Sequence, residues 1–215
     1  MNKNSIKQKR FKLKTITLWS LVIACTCGAT LCLADPVPDK PITVRVASYN
    51  VEFGRSTTPE QIGEMFESYN LDIIGFNEAP DGDWTARVGK VLGMEHSYVG
   101  TISSANHKDK YKSILSRTPL EGTAEHELAV KRRGFWNPAS VVRATTEIEG
   151  VSIAFYSLHI SGSGGRKGNG QAYQFATTIV PKETTKRVIV VGDFNNRIGD
   201  EAMNTIEAAG LKPTW

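Results

Sequence analysis

Cysteine is missing from the whole chain beyond residue 32. All three cysteines, Cys25, Cys27 and Cys32, lie in the first 34 of 215 residues. A chain beginning at Asp35 therefore has no disulfide framework and no zinc–thiolate site. A basic excess is also missing once that segment is set aside. Residues 1–34 carry six of the 26 Lys and Arg and none of the 22 Asp and Glu, leaving 20 basic against 22 acidic residues and a net charge of −2. The pI near 8.9 belongs mostly to the N-terminal segment. The grip on a phosphate backbone that a strongly basic domain signals is thus absent. There is no internal repeat, and the glycine-rich stretch SGSGGRKGNG (residues 161–170) lacks the spacing of a P-loop or of G-x-G-x-x-G.

The N-terminal segment has the layout of an export signal. Lys3, Lys7, Lys9, Arg10, Lys12 and Lys14 precede the apolar run TITLWSLVIACTCGATLCLA, and Cys32-Leu33-Ala34 fits the small-x-small rule for signal-peptidase cleavage. Residues 1–34 read as the signal and residues 35–41, with Pro36, Pro38 and Pro41, as a linker. Two alternatives stay open. Val22-Ile23-Ala24-Cys25 resembles a lipobox, which would make Cys25 a lipid anchor. A run of about 20 apolar residues also suffices to stay in a membrane uncleaved. All three place the domain outside the cytoplasm, periplasmic or extracellular, with membrane contact only through such an anchor, and a monomer is expected.

From residue 42 to 215 the pattern is that of one α/β domain. Strands are predicted over 42–51, 72–76, 112–116, 139–148, 151–160 and 187–191, the long pair joined as a hairpin at Glu149-Gly150. Helices are predicted over 59–69, with Thr58 as N-cap and Pro59 in the first turn, and over 84–92, 171–180 and 201–209. Strand–helix–strand units mixed with a hairpin predict a mixed sheet flanked by helices.

Several apolar strands end in polar groups that do not belong in a core. They deliver Asn50 and Glu52, then Asn77 and Glu78, then His159, and finally Asp193 and Asn195. Ligands of open α/β sheets gather where strand ends converge. Carboxylates, amides and an imidazole suit a hard cation and an anionic substrate; Mg²⁺ takes one or two protein carboxylates and completes its shell with water and phosphate oxygens. Each residue also has a plain structural role open to it. Gly-Asp-x-Asn after a strand is ordinary turn chemistry, Asn50 suits a turn cap, and a histidine ending an apolar strand can be a core residue. Arg143 is expected to contact substrate phosphate, with a cross-strand ion pair as the alternative. The cluster KRRGFW (131–136) reads either as a phosphate and base grip or as a solvated loop anchored by its aromatics. His96, His107 and His126 read as surface groups.

The ordered segments YNV, FNEAP, YKSILSRTPL, SLHISG and VVGDFNN resemble the endonuclease/exonuclease/phosphatase superfamily, the deoxyribonuclease-I-like fold, over residues 44–215. The resemblance implies a four-layer α/β sandwich, two packed mixed β-sheets with helices outside, and hydrolysis of phosphate esters with Mg²⁺ or Mn²⁺. It implies Glu78 as metal ligand with Asn50 beside it holding metal or phosphate. His159 would bond the scissile phosphate, Asp193 would orient or deprotonate the attacking water, and Asn195 would bind phosphate. A phosphodiester is the expected substrate, in nucleic acid or in a phospholipid or inositol phosphate.

Three departures from the family pattern stand out. Asn77 replaces a Gln before the metal-binding Glu, and Tyr111-Lys112-Ser113 replaces a stretch of small residues. The chain also stops before the Asp-His motif and last strands in which the family ends, so a truncated domain is expected. A module that binds phosphate or metal without turnover is the alternative that this last departure implies. A metal-free glycosidase using Glu78 and Asp193 would need their carboxyl groups about 5–10 Å apart.

Overall fold

The computed structural model describes residues 14–17, 41–80, 82–128, 138–162 and 170–214. The expected signal other than residues 14–17, nearly all of the linker, the cluster at 131–136 and most of the loop at 161–170 lie outside the described residues. No helix among those described is long and apolar enough to cross a membrane.

Among the described residues nine strands form two sheets. In chain order they are β1 (Lys14–Thr17), β2 (Thr43–Asn50), β3 (Ile73–Ala79), β4 (His96–Val99), β5 (Tyr111–Ser116), β6 (Glu121–Glu127), β7 (Ser140–Ile148), β8 (Val151–His159) and β9 (Val188–Asp193). The first sheet has the order β1-β2-β3-β5-β4 and the second β6-β7-β8-β9. The β2–β3 and β8–β9 pairs are parallel and the remaining pairs antiparallel, so both sheets are mixed. Four described residues of the expected signal, as β1, pair along the edge of β2.

The strands β4 and β6 carry no apolar alternation that the sequence could have shown. Glu121–Glu127 is EGTAEHE, an edge strand defined by its pairing with β7 rather than by burial. The β7–β8 hairpin turns at Glu149 and Gly150 as its sequence predicts.

Helices cover both outer faces. The first two, α1 (Pro59–Phe66) and α2 (Trp84–Leu92), lie over the first sheet. Thr58 caps α1 reciprocally, its hydroxyl accepting from Gln61 N while the Gln61 side chain accepts from Thr58 N. Over the second sheet lie α3 (Gly170–Gln174), continued by a widened π turn at Phe175–Ile179, and α4 (Glu201–Ala208). The helix expected over 171–180 is present but not regular: Val180 N donates to Phe175 O in the widened turn, and Pro181, which has no N–H, follows it.

Strand parity sorts the core into three apolar layers. Ile74, Phe76 and Leu115 face α1 and α2, meeting Ile62, Phe66, Trp84 and Val88. The alternate residues Ile73 and Ile114 face the second sheet, meeting Val142, Ile153 and Phe155. On the far side Val141, Tyr156 and Leu158 meet Phe175, Met203 and Ile206. Helices, sheet, sheet and helices therefore stack as the four-layer sandwich that the resemblance implies.

Two glycines allow the sheets to approach. A Cβ on Gly75 would fall 2.4 Å from Val191 Cγ2, across the interface. A Cβ on Gly192, at φ +143°, would fall 1.9 Å from Leu158 O within the β8–β9 pair. The first obstacle is the end of a side chain and the second is backbone, so only the first can be relieved. Gly75→Ala should cost about 1–3 kcal/mol as an overpacking substitution. Adding Val191→Ala should recover part of that loss, a coupling read from a double-mutant cycle of denaturant unfolding. Strict additivity of the two would show that the sheets do not touch at this point.

Candidate active site

Four strand ends from the two sheets meet at one edge of the sandwich. Parity decides which side chains enter. On β8, Ile153, Phe155 and Ser157 face the first sheet, so His159 does too; on β9, Ile189 and Val191 face it, so Asp193 does too. His159 and Asp193 are register partners in the parallel pair, and Ile160 N donates to Asp193 O at 3.1 Å. On the first sheet Asn50 and Asn77 are register partners.

Glu78 should by parity point to the opposite face from Asn77. It does not, because β3 has a bulge there: Asn77 pairs with Lys112 and Ala79 with Tyr111, leaving Glu78 as the extra residue at φ +55°. The bulge turns the carboxylate into the cleft while Asn77 still faces the second sheet, its Nδ2 donating to Leu158 O at 2.8 Å. Glu52, Phe53, Ala105 and Asn195 are at positive φ as well, which makes five of the seven such non-glycine residues among those described. Backbone strain of this kind gathers where a site needs it.

In the cleft, Glu78 Oε1 lies 3.9 Å from His159 Nε2 and 3.8 Å from Lys110 Nζ, and Asp193 Oδ2 lies 3.8 Å from His159 Nε2. Asn50 joins the two carboxylates. Its Nδ2 donates to Asp193 Oδ2 at 3.1 Å, its Oδ1 accepts from Glu52 N at 2.9 Å, and its amide is near enough to Glu78 to favour the ionised carboxylate. Asn50 thus meets the site with its amide nitrogen, and its oxygen is engaged by the backbone. Asp193 serves the turn as well as the cleft, since its Oδ1 accepts from Asn195 N at 3.0 Å. Asn195 Nδ2 donates to Ile160 O at 2.9 Å, so this amide ties the β8 and β9 ends together beside the cleft.

Burial sets the charge states. His159 is 1 % exposed. Desolvation pushes its imidazole down to about 4, with Asp193 pulling up and Lys112 and Lys110 pushing down, so it is neutral near pH 7. The Glu78 carboxyl is raised, first by burial and then by Asp193 and Glu52, while Lys110 and Asn50 oppose the rise. A buried carboxylate with two others near it is what a divalent cation relieves, and the oxygen donors are those Mg²⁺ prefers. Among the described residues no group of three or more His, Cys, Asp or Glu side chains forms a cage. The site therefore fits an ion held chiefly by Glu78, with water and substrate completing its shell.

The structure does not bring Arg143 to this cleft. Its Nε and Nη2 donate to Glu183 at 3.0 Å each and its Nη1 to Gly122 O at 2.8 Å, while Tyr156 donates to Glu183 at 2.6 Å. The expected substrate contact is corrected to an ion pair, because residue 143 shares with Tyr156 the face turned away from the first sheet. It is paired to the loop after the π turn rather than across strands.

Two lysines were not singled out as functional in the sequence. Lys110 enters the site from the loop before β5. Lys112, one turn of the pleat further, is fully buried on the same face. Its Nζ donates to Ile102 O at 2.6 Å and to Ser104 Oγ at 3.2 Å. Glu125 holds the same loop from the other side, accepting from Thr101 N and Ile102 N. The alternation of Lys108, Lys110 and Lys112 into an apolar strand was the available signal.

The sequence model described as Endonuclease/Exonuclease/phosphatase family matches residues 47–213. No curated protein matches the sequence significantly. Among solved structures, the chain is similar to an endonuclease/exonuclease/phosphatase family protein from Leptotrichia buccalis C-1013-b, with TM-score 0.58 and 18 % identity over 80 % of this chain and 75 % of that one. It is similar to a family protein from Bacteroides thetaiotaomicron with TM-score 0.61 and 18 % identity, covering 80 % of this chain and 69 % of that one. It also resembles a mannosyl-6-phosphatase from Bacteroides thetaiotaomicron VPI-5482, with TM-score 0.57 and 18 % identity over 78 % and 71 % of the two chains.

Lys112 supplies a pH test of this architecture. Burial pushes its ammonium from the ordinary 10.5 down to about 8, with Glu125 opposing. Between those values the unfolded chain binds more protons than the folded one, so this group's penalty is complete below pH 8 and is lifted as pH rises toward 10.5. The stability of wild type relative to Lys112→Met should therefore rise over that range by on the order of 3 kcal/mol. Denaturant midpoints of the two proteins at pH 7, 9 and 10.5 measure it. A constant difference would mean that Lys112 titrates alike folded and unfolded.

Proposed function

The chain belongs to the endonuclease/exonuclease/phosphatase family, whose members are usually hydrolases acting on phosphoesters, and from that premise we propose that it is an exported, divalent-metal-dependent phosphoesterase. The observation that carries this reading is the meeting of Asn50, Glu78, His159 and Asp193 from both sheets at one edge. Export is supported by the layout of residues 1–34 and by the confinement of cysteine to them.

The residues divide the work. Asp193 is one-third exposed, reachable by water, and fixed by Asn50 and by the turn. It orients a water for in-line attack on phosphorus and takes its proton. His159, neutral and buried, hydrogen-bonds a phosphoryl oxygen. Asn195 braces the Asp193 turn from its outer side and lies within the same turn for contact with phosphate. Glu78 would hold Mg²⁺ or Mn²⁺, with Asn50 orienting its carboxylate; when bound, such an ion polarises the phosphoryl oxygen and offsets charge on the leaving group.

A phosphodiester is the proposed substrate. The −2 charge of residues 35–215 and the carboxylates of the cleft favour a short or lipid-borne diester over duplex nucleic acid. The similar mannosyl-6-phosphatase makes a monoester the comparison of choice.

Hydrolysis of bis-p-nitrophenyl phosphate and of p-nitrophenyl phosphate in the presence of Mg²⁺ tests the reading. Glu78→Gln, Asp193→Asn and EDTA should each lower the rate at least about a hundredfold, with little change in thermal midpoint for the variants. Full activity in Glu78→Gln and in EDTA would sink it.

A further inference from the structure

We propose that a cavity on the outer face of the second sheet binds a small oxyanion, a phosphate or carboxylate group, at a site separate from the cleft and independent of the phosphoesterase reading. The cavity holds about 530 Å³. Its floor is the sheet from β6 to β8, with His126, Arg143 and Tyr156. Its wall is the π turn, with Thr178 and Ile179, followed by Lys182. Widened turns of this kind gather at functional sites. Parity separates the cavity from the cleft. Arg143 and Tyr156 are register partners and His126 pairs with Val141, all on the face turned to the π turn. The next residues along β8 on the opposite parity, Ser157 and His159, face the first sheet.

The carboxylates around this cavity are engaged, and several of its donors are not. Glu183 accepts from Arg143 Nε and Nη2, from the Tyr156 hydroxyl and from Thr185 N. Glu125 and Glu127 pair with Val142 and Ser140, so they belong to the other face of β6, where Glu125 is bonded to Thr101 and Ser140. Lys182, by contrast, forms no ion pair among the described residues, and the Thr178 hydroxyl forms no hydrogen bond among them. The His126 imidazole is half-buried and also has no hydrogen-bond partner among the described residues. Withdrawing a ring nitrogen from water without a partner is unfavourable. Burial first, and then Arg143 and Lys182, push the His126 pKa down, so the field at this point of the cavity is positive. An anion seated between His126 and Lys182 answers both features. It accepts the imidazole N–H and offsets the ammonium, with the Thr178 hydroxyl as a further donor.

The imidazole NMR signals test the site without any turnover. The chain has four histidines, and His126→Asn assigns the signal concerned. The groups that set the His126 baseline are Arg143, Tyr156, Lys182 and Glu183 around the cavity, with Glu125 and Glu127 on its own strand. Inorganic phosphate, and separately acetate, is titrated at constant ionic strength against chloride. The His126 pKa should rise by about half a unit or more, because an anion offsets Arg143 and Lys182. That response should be lost in Lys182→Gln, a substitution at an exposed position, and kept in Glu78→Gln, which alters the cleft. A response to both anions, or to one of them alone, supports the site and says whether it takes phosphate, carboxylate or either. No response to either in wild type, an undiminished one in Lys182→Gln, or one that vanishes in Glu78→Gln overturns the assignment.

Discussion

The site depends on how the two sheets are held face to face at one end. Asn77 and Ser157 do this with hydrogen bonds that cross the interface, from Asn77 Nδ2 to Leu158 O and from Ser157 Oγ to Phe76 O at 3.2 Å. Both are buried, so each is expensive to break. The first lies one residue from Glu78 on one side and from His159 on the other, and the second two residues from each. Ångström-scale slippage there would separate the carboxylate from the imidazole without disturbing either strand. Gly75 lets the sheets come close enough for these bonds to form. The apolar layer behind them, from Val44 to Phe155, provides the force that keeps them together.

The second constraint is local. A regular strand cannot point two consecutive side chains at the same neighbour. The bulge at Glu78 evades that rule at the cost of a left-handed non-glycine residue, on the order of 1–3 kcal/mol. The return is that Asn77 can fasten the sheets while Glu78 faces the cleft. Structure and chemistry thus occupy adjacent positions on one strand. Asp193 shows the same economy within one side chain, with one oxygen in the turn and the other on Asn50.

The fold was legible where burial imposes a period. The unbroken apolar run at Val188–Val191, the alternation in the hairpin, and the 3.6-residue spacing in α1 and α2 predicted elements to within about three residues at their ends. Edge strands such as β6 escaped because hydrogen bonding rather than burial defines them, and the π turn because one widened turn leaves the helical apolar spacing almost unchanged. At the site, residues ending apolar strands were easy to see, since a carboxylate or imidazole there conflicts with its surroundings. Lys110 was hidden for the opposite reason. A lysine among Lys108, Asp109 and Lys112 looks like solvated surface, and only the return of its loop across β3 gives it a buried role. Arg143 failed in reverse, an apparent strand cation whose parity turns it to the far side. Asn77 in place of a longer amide reaches a backbone carbonyl across the interface, a contact that length alone could not have foretold.

The side chains that meet here come from positions far apart along the chain, Asn50 and Asp193 being separated by 143 residues. No folding intermediate built from neighbouring elements contains them together, because each sheet holds only half of the set. Long loops must close before any of these contacts is rewarded, which makes assembly of the cleft a late event in folding. Catalytic competence would then arrive with the last docking step, all at once. On the proposed export route, a polypeptide threaded in extended form through a translocation pore would carry these side chains but no assembled cleft, and so be harmless to phosphoesters on the side it leaves.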